Sequence, residues 1–244
     1  MSDRINNLNK KFNIISFTAD DKQYYPASMK KQSWMSKTYV KHTDIEIPMG
    51  QSRYGGPVMD LPVGLEHPEG LRFAGQFDLA KFSPLDKTGL LPKTGQLIFF
   101  ADILNDTGKV IYADVPNSSL VRTIKEHEDN FFLGVLVDKI FADEESFADR
   151  FREAEDEWEK EHANKDGMIW DSFAGSEQSK IFGIYTHCQY GQEEIEQIAF
   201  SDKILLLQVG ENGFNDEGVF SVLINREDLI NKNFDNCEFA WGQS

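Results

Sequence analysis

The sequence has little cysteine and no long apolar run. Only two of its 244 residues are cysteine, Cys188 and Cys237, which is too few for a disulfide framework or a four-thiolate zinc site. No stretch approaches the roughly 18 consecutive apolar residues of a membrane-spanning helix. The first residues carry charge and asparagine where a secretory signal needs an apolar segment. We therefore expect a cytoplasmic protein that does not associate with a membrane.

The motifs of the common enzyme classes are also absent. The sequence has no dinucleotide-binding glycine motif, no P-loop, no HExxH and no GxSxG. His187 and Cys188 are adjacent, so a strand would point them to opposite faces and would not join them as a nucleophile pair. We therefore assign no catalytic residue, no metal site and no cofactor, and we favour a protein that is not an enzyme.

Negative charge dominates the second half of the chain. The net charge is −16 overall. Residues 1–122 hold 15 basic and 13 acidic side chains, whereas residues 123–244 hold 10 and 28. Such a half would repel a phosphate backbone, so we expect no nucleic-acid partner. Two interpretations of the acidity stay open: it serves solubility, or it forms a face that attracts a basic protein partner.

Hydrophobic periodicity predicts both strands and helices. Alternating patterns and short apolar runs predict antiparallel strands, which we place at 71–79, 96–102, 203–209 and 218–224. In the acidic segment 143–165, Phe147, Phe151 and Trp158 recur at helical spacing, which predicts a helix with these rings buried. A second helix is predicted over residues 5–15. The expected fold class is α+β, a mostly antiparallel sheet with flanking helices.

The two halves of the chain repeat an order of short features. A basic residue before a glycine, a strand ending near a glutamine and a glycine-led strand occur in residues 50–122 and again in 178–241. This predicts an internal duplication within a single domain, 1–244, in which superposing one half on the other by a pseudo-two-fold operation carries Gly95 near Gly218. Chance similarity between β-rich segments is a rival explanation. If the halves correspond, four polar residues face one ligand cleft: Arg53, Gln76, Lys180 and Gln208. Alternatively, the glutamines bond to nearby backbone groups and complete the fold.

Several motifs together resemble the YwqG-like family, a bacterial family without an established function. The matching segments are Gly55–Pro57, Leu61–Gly64, Gln76–Leu79, Leu91–Phe100, Lys180–Gly183 and Leu205–Gln208. The sequence departs from the family at His67–Pro68, where the family has Trp-Pro, and at Phe182–Gly183, where it has Gly-Gly. The resemblance implies an α+β fold with internal duplication and no known reaction. Some members resemble products of toxin–immunity loci, which implies a role in neutralising a toxin.

We therefore expect a cytoplasmic, non-enzymatic binding protein of the immunity type that neutralises a basic toxin or another protein partner. The acidic residues expected to bind that partner are Glu153, Asp156, Glu157 and Glu161. The alternative is a small-molecule-binding protein or enzyme whose polar cleft lies between the two halves.

Overall fold

The fold is built mainly from strands. A computed structural model describes residues 7–33, 35–126, 132–211 and 218–242. The strands in these residues are β1 Phe12–Tyr25, β2 Tyr39–Lys41, β3 Arg53–Tyr54, β4 Val58–Pro62, β5 Arg72–Asp78, β6 Gln96–Asp102, β7 Thr107–Ala113, β8 Leu120–Ile124, β9 Gly134–Glu145, β10 Phe151–Glu153, β11 Met168–Trp170, β12 Lys180–Ile181, β13 Lys203–Val209, β14 Val219–Asn225 and β15 Glu238–Gly242. The α-helices are short: α1 Leu79–Phe82, α2 Glu157–His162, α3 Gln192–Ala199 and α4 Arg226–Ile230. Across these described ranges, no helix has the length and apolar character needed to cross a membrane.

Eleven strands form one large sheet. Its order is β15-β14-β13-β12-β1-β9-β3-β5-β6-β7, and β2 pairs with β1. The pairs along this order are antiparallel, and only the added β1–β2 pair is parallel. The two edges approach each other, since the amide of Trp241 on β15 donates to Asp106 Oδ1 just before β7, at 3.1 Å. The sheet therefore nearly closes on itself.

Two arms of four strands flank the central β1–β9 pair. The first arm runs β3-β5-β6-β7 and the second runs β12-β13-β14-β15, each outward from the centre. Gly95 and Gly218 directly precede the third strand of their arms, β6 and β14. This matching order is what an internal duplication requires. The duplication itself stays a prediction.

The two faces of the sheet bury separate hydrophobic clusters. The largest cluster lies on one face, where Phe77 makes edge-on ring contacts with Phe82 and Phe99. On the opposite face of the first arm, β4 covers a cluster that includes Phe100. The segment around Phe147 and β10–β11 covers a third cluster on the second arm. Each arm is thus packed on both faces, and each covering includes a small two-stranded sheet, β4–β8 on the first arm and β10–β11 on the second.

The predicted α+β fold with flanking helices is wrong. Strands make up about 40% of the structure and helices 18%, and the longest described helix, α3, has eight residues. The four strands predicted from periodicity are present as β5, β6, β13 and β14. The N-terminal helix was predicted over residues that include Phe12 and Ile15. These two lie instead on β1, because that segment pairs with β9 across the chain. Ile5, at the start of that prediction, lies outside the described residues.

The predicted acidic helix 143–165 is also wrong. Its first three residues end β9, and a 3₁₀ turn, Phe147–Arg150, then leads into β10. Polar caps break the segment, since Asp149 Oδ2 accepts from the amide of Ser146 at 2.8 Å and Asp156 Oδ1 accepts from the amide of Glu159 at 2.7 Å. Only α2 is helical within it, so the helical stripe of aromatic rings does not form. Phe147 is buried and Phe151 half-buried, but Trp158 is 61% exposed.

Candidate functional site

Arg53 and Gln76 meet in a buried polar cluster on the first arm. They are opposite each other on β3 and β5, and neither has any exposed surface. Arg53 Nη2 donates to Gln76 Oε1 at 3.1 Å and forms an ion pair with Asp60 Oδ2 at 3.0 Å. The remaining donors of Arg53 bond to the carbonyl groups of Gln51 and Val58. These contacts attach β4 to the sheet.

Asp60 holds two arginines together. Arg122 contacts both carboxylate oxygens, with Nε 2.8 Å from Oδ1 and Nη2 3.1 Å from Oδ2, the oxygen that Arg53 also contacts. The amide of Gly50 adds a third donor, at 2.8 Å. Burial acts to raise the pKa of Asp60, but the hydrogen bonds from Arg122 and the charge of Arg53 lower it below its usual value. The carboxylate therefore stays ionised and is fully used within this cluster.

The second arm contacts a cluster with the same set of charges, one carboxylate and two cations. Glu145 accepts from Lys180 Nζ at 2.6 Å and from Arg150 Nη2 at 3.3 Å. Lys180 also donates to the carbonyl of Ile184 at 3.0 Å. Burial lowers the pKa of Lys180 to about 8, against the charge of Glu145. Each cluster thus places two cations around one buried carboxylate.

Gln208 bonds to nearby backbone groups, which was the alternative to a role in a ligand cleft. It lies opposite Lys180 in the strand register, and its Nε2 donates to the carbonyls of Gly175 and Gln178 at 2.9 and 2.8 Å. No residue in the described part of the chain donates to its Oε1. The side chain therefore fastens the loop that covers the second arm.

The four predicted cleft residues do not line one open cleft. Arg53 joins Gln76 and Lys180 lies beside Gln208, but β1 and β9 separate the two pairs in the sheet. All four side chains are fully buried. Within the described ranges, no hydrogen bond or ion pair links the two clusters.

The four predicted acidic residues, by contrast, lie together at the surface. Glu153, Asp156, Glu157 and Glu161 are all exposed and lie within five residues of Trp158 in the sequence. The Trp158 ring stacks on His162, with ring centroids 4.1 Å apart and planes at 22°. We call this surface the Trp158 patch; it consists of Glu153, Glu155, Asp156, Glu157, Trp158, Glu161 and His162.

The patch keeps most of its negative charge. The two basic residues nearest to it are already paired, Lys160 with Glu157 at 3.1 Å and Arg152 with the buried Glu159. Glu153, Glu155 and Glu161 form no ion pair with any residue that the structure describes. A large aromatic ring is therefore exposed among uncompensated carboxylates.

The cysteines offer no activated nucleophile. Burial raises the pKa of Cys188, and it raises that of Cys237 to about 12, whereas a reactive thiol needs a lowered value. Burial also lowers the pKa of the neighbouring His187. Across the described residues, no group of three or more His, Cys, Asp or Glu side chains is placed to hold a metal ion.

The comparison with known families gives an identity without an activity. A family model described as "Domain of unknown function (DUF1963)" matches residues 21–242, which is most of the chain. The chain belongs to the DUF1963 family. No curated protein matches the chain. The family therefore does not assign a role to either buried cluster or to the Trp158 patch.

Sequence reasoning missed one further feature, a partly open pocket of about 420 Å³ at the end of the first arm. Its polar groups come from Asp78, Thr94, Asp114 and Asn117, which belong to three separate segments. Asp78 lies within the family-like motif Gln76–Leu79, but nothing in that motif indicates which distant residues approach it. The pairing of β5, β6 and β7 brings them together.

Proposed function

We propose that this protein is a non-enzymatic binding protein that docks a basic protein partner on the Trp158 patch. The observation that carries the proposal is the exposure of Trp158 in a segment whose exposed carboxylates, apart from Glu157, form no ion pair with any residue that the structure describes. Leaving so large an apolar ring in water forgoes the free energy of burial. Tryptophan is also enriched among the residues that dominate binding energy at protein interfaces.

The chemistry of the patch selects a cationic partner. The face of an indole ring attracts an ammonium or guanidinium group, and the neighbouring carboxylates of Glu153 and Glu161 form charge-assisted hydrogen bonds with the same groups. His162 stacks on the ring and fixes its orientation. A lysine or arginine side chain that packs on Trp158, with further basic residues around it, satisfies both requirements.

The overall charge supports fast association with such a partner. Residues 123–244 carry a net charge of −18, and a field of this kind accelerates encounter with a basic surface. Rapid capture is what a protein that neutralises a toxin needs. The finer form of the proposal, which rests on the resemblance to the YwqG-like family, is therefore an immunity-type protein that acts on a basic toxin in the cytoplasm.

The test compares Trp158→Ala with Ile230→Ala. Both residues are large, apolar and about 60% exposed, but Ile230 lies on α4, outside the patch. Partners captured from the native host by the wild-type chain are identified by mass spectrometry, and their affinities for the purified variants are measured. We expect Trp158→Ala to lose about 2–4 kcal/mol of binding free energy and Ile230→Ala to bind like the wild type. Equal binding by both variants would refute the assignment of the patch.

A further inference from the structure

The pocket at the end of the first arm lies where three paired strands begin or end. In the strand register Asp78 is opposite Gln96, and Gln96 is opposite Ala113, so the end of β5, the residues before β6 and the residues after β7 converge. Gly95 has a φ of +88°, and a Cβ there would lie 2.4 Å from the carbonyl oxygen of Ala113. The close approach of these strands therefore requires glycine. The volume of about 420 Å³ is within the usual range for small-molecule sites.

The pocket contains two carboxylates and no cation. Asp78 accepts only neutral donors, the amide of Ala80 at 3.1 Å and Asn117 Nδ2 at 3.2 Å. Asp114 Oδ1 accepts from Thr94 Oγ1 at 3.1 Å. No lining residue is basic, and neither carboxylate forms an ion pair with a described residue.

This lack of a cation is unusual for the protein itself. Asp78 is buried, as are Asp60 and Glu145. Each of those two carboxylates has two cations in contact, because an ionised group taken out of water needs a charged partner. Asp78 alone of the three has none among the described residues. Its position at the pocket wall leaves room for a cation to bind from solution.

A buried amide next to the pocket points to the same need. Gln96 is fully buried, and its Nε2 donates to Asn117 Oδ1 at 2.7 Å and to the carbonyl of Gly50 at 3.1 Å. Its Oε1 receives no hydrogen bond from any residue that the structure describes. A buried acceptor without a donor costs free energy. Gln96 does not line the pocket itself, but it bonds to Asn117, which does, so an acceptor without a donor lies next to the pocket wall.

We propose that this pocket binds a small organic cation, a primary ammonium or guanidinium group on a short apolar chain. The N–H donors of such a head group satisfy Asp78 and Asp114, and its chain packs against Val115 and Pro116, which also line the pocket. An anion is excluded by the two carboxylates. The pocket shares no residue with the Trp158 patch, so this inference goes beyond the proposed docking function and either can fail alone.

The head group is tested by titrating the full chain with n-butylguanidinium while amide NMR shifts are recorded. We expect saturable shifts at Thr94, Gly95 and Asn117. Tetramethylammonium carries the same charge without N–H donors and should bind at least about tenfold more weakly, which is about 1.4 kcal/mol. Absence of saturable shifts, or equal affinity for tetramethylammonium, would overturn the proposal. Tighter binding of an N-acetyl-arginine amide than of n-butylguanidinium would overturn the assignment to a free small molecule.

Variants then locate the site. Asp78→Asn keeps an oxygen that caps α1 and should weaken binding about tenfold or more. Asp114→Asn, at an exposed position, should weaken it about threefold, because exposed charge pairs contribute little. Glu69→Gln, which removes one exposed charge outside both the pocket and the Trp158 patch, is the matched control and should bind normally. If Asp78→Asn fails to fold, Asp114→Asn still decides the question. Unchanged affinity in the folded variants would place the cation elsewhere.

Discussion

The buried Lys180–Glu145–Arg150 cluster makes a specific prediction about stability at alkaline pH. Burial, with the charge of Arg150 in the same direction, lowers the pKa of Lys180 from 10.5 to about 8, although Glu145 opposes the shift. Between these two values the unfolded chain binds a proton at this position that the folded chain has released. The free energy of unfolding therefore rises with pH in this window.

The magnitude follows from the size of the shift. A difference of about 2.5 pKa units corresponds to about 3 kcal/mol, which the charged Lys180 costs the folded state near neutral pH. Integrating the linkage relation gives a gain of about 1.5 kcal/mol between about pH 8 and pH 9.5. Lys180→Met should remove this gain, because the variant has no group that titrates there. The remaining Arg150–Glu145 pair is neutral overall, so the variant should still fold.

Urea denaturation at several pH values measures this effect. Two tyrosines act in the opposite direction, since burial raises the pKa of Tyr24 and Tyr54 from 10.0 to about 12, and the unfolded chain therefore releases these protons first as the pH approaches 10. The decisive quantity is therefore the difference between the wild type and Lys180→Met at each pH. Lys109→Met, which removes an exposed lysine from β7, controls for the loss of one positive charge. If the free energy of unfolding changes with pH in the same way in the wild type and in Lys180→Met, the predicted pKa shift of Lys180 is wrong.

Three further predictions address the first arm and the patch. Asp60→Asn removes the carboxylate that pairs with the buried Arg53 and the half-buried Arg122, so it should lower the free energy of unfolding by about 3–5 kcal/mol in urea denaturation. The same experiment should show a loss of about 3–5 kcal/mol for the buried Phe147→Ala but less than about 1 kcal/mol for the exposed Trp158→Ala; equal losses would contradict the burial pattern. Gly95→Ala forces a side chain into a positive-φ position against a backbone carbonyl and should lower the melting temperature by several degrees, consistent with a loss above about 1 kcal/mol.

The strands that periodicity predicted are those whose pattern depends on local burial. Residues 71–79, 96–102, 203–209 and 218–224 each form a short, mostly buried strand beside a turn, so the sequence itself carries the signal. The long strands β1 and β9 have a weaker local sequence signal. Their pairing joins Phe12 to Glu145 across more than half of the chain, and a non-local contact of this kind overrides the helical spacing of Phe12 and Ile15.

The helix predicted for the acidic segment 143–165 is wrong for a different reason. Its aromatic spacing fits a helix. However, Asp149 and Asp156 each accept a hydrogen bond from a backbone amide, and these bonds cap two separate short turns of helix in place of one continuous helix. Aspartate favours such caps over helix interiors. The predicted acidic residues still cluster at the surface, because charged side chains stay in water whichever backbone carries them. The exposure of Trp158 is the part that only the three-dimensional arrangement reveals.

The repeated motifs predicted Arg53, Gln76, Lys180 and Gln208 in one cleft, whereas the structure groups them as two separate pairs, Arg53 with Gln76 and Lys180 with Gln208. The motifs gave no information about what surrounds each pair. In the first arm Asp60 on the covering strand β4 supplies the partner, and for Lys180 the partner is Glu145 at the end of the central strand β9; neither acid belongs to the repeated pattern. Burying a cation requires such a partner, so Arg53 attaches β4 to the first arm and Lys180 attaches the second arm to the end of β9. The same requirement separates these two clusters from the pocket at Asp78. There the fold buries the carboxylate and leaves its cation to be supplied from outside.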